Sequence, residues 1–322
     1  MKREYLLEKW ALMSLIREFD LAVKDFAAGD EAFGYFHTSI GQEAISAGVI
    51  PHIREDDYLT STYRNHSHGV ARGLDIRKMW GELLGKESGY CRGLGGSMHI
   101  ADQDRNFIGS MGIVAGGIPI AAGAAFASKY KKTSQIALCF FGDGAVHQGA
   151  FHEGFEFAVK FEVPVLYVCE NNLYAESTAT DYHLIHDSVI DYVRPYGIKS
   201  VKIDGNDLEL VDSVGKEFIE WVRASGKPAF IETMTYKMSG QYEGDKQTYK
   251  SSEEIAMWEN RDPLTLLGSK LVSDFGISEA ELADIAKSNR SNVYEALDQA
   301  RKDPFPTIDV MRGAVYASEE KK

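Results

Sequence analysis

The sequence predicts an α/β fold, a mainly parallel sheet flanked by helices. Residues 135–141 are almost wholly apolar, the pattern of a parallel strand buried on both faces, and residues 163–169 repeat it. Between them Phe151, Phe155 and Ala158 recur at spacings of four and three, which predicts a helix from 145 to about 160 crossing back over the sheet. A right-handed crossover then sets the two strands side by side or nearly so.

The other elements follow in order. Leu6, Trp10, Met13 and Ile16 make a first amphipathic helix, and residues 41–49 a second, short one. Residues 85–117 are rich in glycine with few periodic positions and read as loops, before 118–130 resume as an alanine-rich helix. Beyond the second strand come a polar loop to 180, a helix near 188–193, a strand at 199–203, a helix at 209–224 and an apolar strand at 228–235. Residues 239–249 have the polar, glycine-bearing composition of a mobile loop. Residues 278–302 carry the periodicity of surface helix, and Asp303-Pro-Phe-Pro306 ends it. No linker divides the chain, so residues 1–322 are expected to form one domain with N- and C-terminal helical extensions.

Composition narrows the function classes. Lys and Arg total 35 against 48 Asp and Glu, a net charge of -13, which argues against a nucleic-acid partner. No run of about 18 uncharged apolar residues suggests a membrane span, and a cytoplasmic location is expected. Cys91, Cys139 and Cys169 lack CxxC spacing and read as free thiols. His66-Ser67-His68 could direct two imidazoles one way, but zinc needs further ligands at recognisable spacing and none is evident.

One constellation carries chemistry. Gly142-Asp143-Gly144 stands at the carboxyl end of the first apolar strand, and Asn171-Asn172 ends the second after 26 intervening residues. Neighbouring strand tips lie about 4.8 Å apart, so Asp143 and Asn172 can converge on one ion. Magnesium takes about six oxygen ligands and shares them readily with phosphates, so one carboxylate, one amide oxygen and one carbonyl from the protein suffice. The flanking glycines let the backbone approach an anion, and the amides of the following helix point toward it. A magnesium-bound diphosphate is the expected ligand.

With these motifs the sequence resembles the thiamine diphosphate enzymes, and more closely the alpha subunit of the E1 component of 2-oxo acid dehydrogenases. The resemblance runs through His37-Thr-Ser-Ile-Gly41-Gln42-Glu43-Ala44, Ser61-Thr-Tyr63-Arg64-Asn-His66, Gly93-Leu-Gly95-Gly96-Ser97-Met98-His99, Gly112-Ile113-Val114, Gly142-Asp-Gly-Ala145 and Cys169-Glu-Asn-Asn-Leu-Tyr174. It implies a thiamine diphosphate-binding fold, with Tyr63, Arg64, Gly112, Val114, Gly142, Asp143, Gly144, Ala145, Asn172 and Tyr174 at the cofactor. Asp143, Asn172 and Tyr174 would hold magnesium. His37, His66 and Gln241 would be catalytic. It also implies a separate beta subunit carrying the activating glutamate, in an assembly of two alpha and two beta chains, and a lipoyl acyltransferase as a further partner.

For the substrate, residues 238–249 are closest to the acetoin-type loop, so cleavage of acetoin or a 2-oxo acid, with transfer of the two-carbon unit to an acceptor such as lipoyl, is the expected reaction. The family usually has Arg where Lys237 stands and His where Gln241 stands, which leaves open a split enzyme that passes the unit to a sugar or other non-lipoyl acceptor. A non-catalytic assembly subunit would have no need of Asp143, Asn172, His37, Tyr63 and Arg64 together. A nicotinamide enzyme would need a glycine fingerprint that is absent.

Overall fold

The structure is a computed structural model that describes residues 2–315. Helices α1 (Arg3–Ala27) and α2 (Glu43–Val49) precede strand β1 (Tyr58–Thr62), and α3 (His66–Ala71) and α4 (Ile76–Leu83) precede β2 (Phe107–Met111). There follow α5 (Gly117–Lys131), β3 (Ala137–Gly142), α6 (Gly149–Lys160), β4 (Val165–Asn171), a small hairpin of β5 (Tyr174–Ala175) and β6 (Thr178–Ala179), α7 (Thr180–His183) and α8 (Val189–Val193). The chain continues as β7 (Lys199–Asp204), α9 (Leu208–Ser225), β8 (Ala229–Met234), α10 (Ser252–Glu259), α11 (Pro263–Phe275), α12 (Glu279–Arg301) and α13 (Ile308–Gly313).

Six strands form one parallel sheet in the order β2-β1-β3-β4-β8-β7. Alternation divides the central strands between two cores. Leu138, Phe140, Leu166 and Val168 face the cluster built with α1, α2, α4, α9, α11 and α12, whereas Cys139, Phe141, Tyr167 and Cys169 face the one built with α5, α6 and α8. All three cysteines are free, and two are buried in these strands. Helix starts are set by side-chain caps: Asp75 on α4, Asp207 on α9, Ser251 on α10, Asp262 on α11 and Ser278 on α12. Gly226 and Gly276, both with φ of 67°, end α9 and α11 in the left-handed conformation.

The chain runs outward from β1 to β2 and returns to β3 on the other side of β1, so the sheet order reverses between β1 and β3. A crevice at the carboxyl ends of strands at such a point is where open parallel sheets bind ligands.

The predicted helix at 145–160 begins later, because Asp143–His147 winds as a 3-10 turn before α6. Residues 85–117 are not loop throughout, since β2 lies within them. Its Gly109, with φ of 148°, breaks the apolar pattern that would have announced a strand. Residues 239–249 lack regular structure but are tethered: Met238 N donates to Ile40 O (3.0 Å), Glu243 N to Phe36 O (2.9 Å), and Ser239 Oγ shares a hydrogen with Thr38 Oγ1 (2.8 Å). Among the described residues no helix is long and apolar enough to cross a membrane.

Candidate functional site

A cavity of about 410 Å³ opens at the β1/β3 reversal, walled by the segments that follow β1, β3 and β4. His37, Tyr63, Arg64, Gly112, Val114, Gly142, Asp143, Gly144, Ala145, Asn172, Tyr174 and Gln241 all line it.

The strand-tip wall is carried by the sheet. Gly142 and Glu170 are partners in the β3/β4 register, which sets Asp143 and Asn172 beyond adjacent tips. Asp143 is buried, and its Oδ2 meets His183 Nε2 at 3.1 Å. Asn172 Nδ2 donates to Gln42 Oε1 (2.9 Å), which fixes the amide and leaves Oδ1 with only the long contact from Tyr174 N (3.4 Å). The Tyr174 hydroxyl is taken by Glu254 Oε2 (2.8 Å), so only its backbone is free to serve the cavity. Gly144 is required by close approach, as a Cβ there would sit 2.8 Å from the Ala175 Cβ. A Cβ on Gly142 would meet nothing within 4 Å, so that backbone stands open. Among the described residues no three His, Cys, Asp or Glu side chains gather to hold a cation. A magnesium ion here would take the Asp143 carboxylate, the Asn172 amide oxygen and a backbone carbonyl, with the rest from its ligand, and these donors fit that ion.

Of the Asn pair only Asn172 faces the cavity. Asn171 donates to Glu232 Oε1 (2.7 Å), and the same buried carboxylate accepts from Ser188 Oγ (2.8 Å), Val189 N (3.1 Å) and Ile190 N (2.9 Å). Glu232 thus ties β4 to the start of α8 from below.

The opposite wall is positive. The Arg64 guanidinium donates to Thr38 O, to Gln241 O (3.0 Å) and to Gln241 Oε1 (3.3 Å). Lys237 Nζ donates to the same Gln241 Oε1 (2.6 Å), and Gln241 Nε2 donates to Tyr63 Oη (2.9 Å). Gln241 is therefore the hub of Tyr63, Arg64 and Lys237. Asp245 holds the Gln241 backbone (2.7 Å) and the Tyr249 hydroxyl (2.7 Å). Lys250 is buried across Tyr236 and donates to Lys237 O, Ser239 O (3.1 Å) and Gln247 Oε1 (3.0 Å). His37 packs on Tyr63 with ring centres 4.6 Å apart, and its Nδ1 is buried without a partner. Burial, then Arg64, His66 and Lys237, push its pKa down to about 3, so it stands as a neutral imidazole with one donor and one acceptor.

His66 is placed differently from the expectation of an active-site residue. It does not line the cavity. It is fully buried, with Nδ1 2.8 Å from Asp20 Oδ1 and Nε2 2.9 Å from Ser97 Oγ, so both nitrogens are occupied. These two contacts join the Ser97 loop to α1. That loop is shaped from the other side by Glu82, whose buried carboxylate accepts from the amides of Cys91 (2.7 Å), Gly93 (2.9 Å), Gly95 (2.7 Å) and Gly96 (3.0 Å). His99 then seats beneath Gly112, where a Cβ would lie 2.9 Å from its Nε2.

Sequence reasoning missed Glu170, Ser61 and Gln42. Glu170 lines the cavity and lies 3.3 Å from His68 Nε2, while His68 Nδ1 meets Ser61 Oγ at 2.6 Å and its ring stacks on Phe140. Glu170 had a signal in sequence as a polar residue ending an apolar run, whereas Ser61 and Gln42 stood only within the motifs that carry the resemblance.

A family model described as dehydrogenase E1 component matches residues 11–309. The alpha subunit of acetoin:2,6-dichlorophenolindophenol oxidoreductase from Bacillus subtilis (strain 168) is 39% identical over 307 residues, covering 95% of this chain and 92% of the relative. The protein of the same name from Cupriavidus necator is 36% identical, covering 98% and 95%. The pyruvate dehydrogenase E1 component subunit alpha of Rickettsia bellii is 33% identical, covering 98% and 96%. Matched along nearly its whole length by the family and by these alpha subunits, the chain belongs to the dehydrogenase E1 component family, whose enzymes depend on thiamine diphosphate.

Proposed function

We propose that this chain is the alpha subunit of a thiamine diphosphate- and magnesium-dependent E1 enzyme that cleaves acetoin, or failing that a 2-oxo acid, and passes the two-carbon unit to an acceptor such as a lipoyl group. The observation that carries this reading is one cavity with Asp143 and Asn172 on one wall and Arg64 with Gln241 on the other. A carboxylate and an amide oxygen suit a divalent cation, and a guanidinium suits a diphosphate. When bound there, thiamine diphosphate supplies the carbon nucleophile and the electron sink for the cleavage.

The residues of the chain bind, orient and exclude water. Asp143 and Asn172 hold the cation, and Arg64 the phosphate charge. Gly112 and Val114, which line the cavity, would border the ring portion of the ligand. His37, a neutral imidazole whose Nδ1 has no partner, would be free to hydrogen-bond a ligand here, and Gln241 would keep Tyr63 and Arg64 in place. Acetoin is favoured over pyruvate because the relatives at 39% and 36% identity are named for acetoin, against 35% and 34% for relatives named for pyruvate. Residues 238–249 lean the same way.

The second half of the site belongs to a beta subunit, in a cytoplasmic assembly of two alpha and two beta chains. Ile113 is 78% exposed and Val114 41% exposed where they line the cavity, and Ile120 and Phe126 are exposed on α5, the helix that follows. Exposed apolar surface continuous with a ligand cavity suits a partner that closes it. The test is turnover with an artificial electron acceptor. The purified chain alone should give none, and adding the beta subunit should give acetoin-dependent activity that needs both thiamine diphosphate and magnesium. Activity from the chain by itself, or from the pair without the cofactor, would overturn the reading.

A further inference from the structure

Three buried cations crowd the loop wall of the cavity, and among the described residues none of them pairs with a carboxylate. Arg64, Lys237 and Lys250 are satisfied by neutral oxygens alone: carbonyls of Thr38, Gln241, Glu176, Lys237 and Ser239, and the amide oxygens of Gln241 and Gln247. Burying charge without a counterion is costly, and a protein meets that cost by binding an anion or by releasing a proton. Arginine does not release its proton; lysine does. Lys250 spends its three donors on closing its own loop. Lys237 has no exposed surface and stands directly behind Gln241, the residue that touches both Tyr63 and Arg64 in the cavity.

We infer that Lys237 is a proton-accepting positioning residue of this site: it takes up a proton from solvent as an anionic ligand enters, and as an ammonium it holds Gln241 against Tyr63 and Arg64 while the ligand is bound. The inference rests on the diphosphate reading above. The groups facing Lys237 agree with it. Burial, then Arg64 and Lys250, lower its pKa to about 6, against the pull of Asp143 at the tip of β3 and Asp245 in its own loop, and neutral His37 adds no charge to balance it. An incoming diphosphate, less the charge of its magnesium, adds negative charge on the Arg64 side of that field and so favours the ammonium, and the only bond formed is the N–H on Nζ.

The experiment is titration calorimetry of the alpha-beta complex with thiamine diphosphate and magnesium near neutral pH, in two buffers of different ionisation enthalpy, for the unmodified protein, Lys237→Arg and Lys237→Met. Protons exchanged by the ligand itself are common to all three and cancel. The unmodified protein should take up more protons than either variant. Lys237→Arg, already charged, should bind within a few-fold of the unmodified protein, and Lys237→Met at least about tenfold more weakly. Equal uptake in all three would overturn the inference and leave the diphosphate reading standing. Failure of the unmodified complex to bind would take down both. Should a variant not fold, the unmodified complex still decides: proton uptake requires affinity to strengthen as pH falls toward about 6, and an affinity that is flat or weakens is the contrary result.

Discussion

At the strand tips, Asp143 and Asn172 extend from β3 and β4, whose register the sheet fixes; across the cavity, Arg64, Lys237 and Lys250 border a loop with no ladder, held by two backbone tethers and by the side-chain bonds these residues make. The first wall is scaffold with a charge placed on it. The second exists only when its hydrogen bonds are made. A ligand residue on the first wall can therefore be removed without loosening the fold, whereas on the second wall binding and stability fall together.

The largest effect tests the first wall. Asp143→Ala should weaken magnesium-dependent binding of thiamine diphosphate by about 3 kcal/mol, more than a hundredfold, while the melting temperature stays close to that of the unmodified protein. A large fall in melting temperature would mean that Asp143 supports the fold, and the contrast between the walls would be lost.

Lys250→Met tests the second wall. It leaves Lys237 O, Ser239 O and Gln247 Oε1 without their donor, which should cost about 1–3 kcal/mol of stability and lower ligand affinity as well. Urea unfolding beside calorimetry reads both. Lost affinity with unchanged stability would make the two walls alike.

The smallest effect at any one step, at most about 1.4 kcal/mol per unit of pH for each group, sharpens the contrast by pH. Lys237 is lowered from 10.5 to about 6 and His37 from 6.5 to about 3, so over each interval the unfolded chain holds a proton that the folded one lacks. Stability of the ligand-free chain should then rise with pH through both windows. Lys237→Met should flatten the profile between about 6 and 10.5 only, and His37→Gln between about 3 and 6.5 only. Unfolding midpoints across pH would show it, and one variant flattening both windows would mean the two groups titrate as a unit.

The same difference explains what could be read from the sequence. β3, α6 and β4 are legible because two-sided burial leaves a continuous apolar run and a one-sided helix leaves a period, and Asp143 and Asn172 are legible as the polar residues that end those runs. β1 is not, since Ser61 and Thr62 spend its carboxyl end on the cavity and Thr60 turns its hydroxyl to the Gly117 carbonyl. Resemblance brought in Tyr63, Arg64 and His37, but it could not show that His66 is enclosed by Asp20 and Ser97, because Asp20 lies on α1, 46 residues away. The hub at Gln241 was invisible for the same reason: composition suggested a mobile loop, and the bonds that hold it connect residues far apart in the chain.

Those separations also order the events of synthesis. Glu82 gathers the amides of its loop from 9 to 14 residues away, so that loop can form soon after it is made. Arg64 and Tyr63 wait for a glutamine 177 and 178 residues later, and Thr38 for a glutamate 205 residues later. A growing chain thus completes the cation half of its cavity well before the wall around Arg64, and a polypeptide that stops short of residue 241 would carry that guanidinium without the glutamine that braces it.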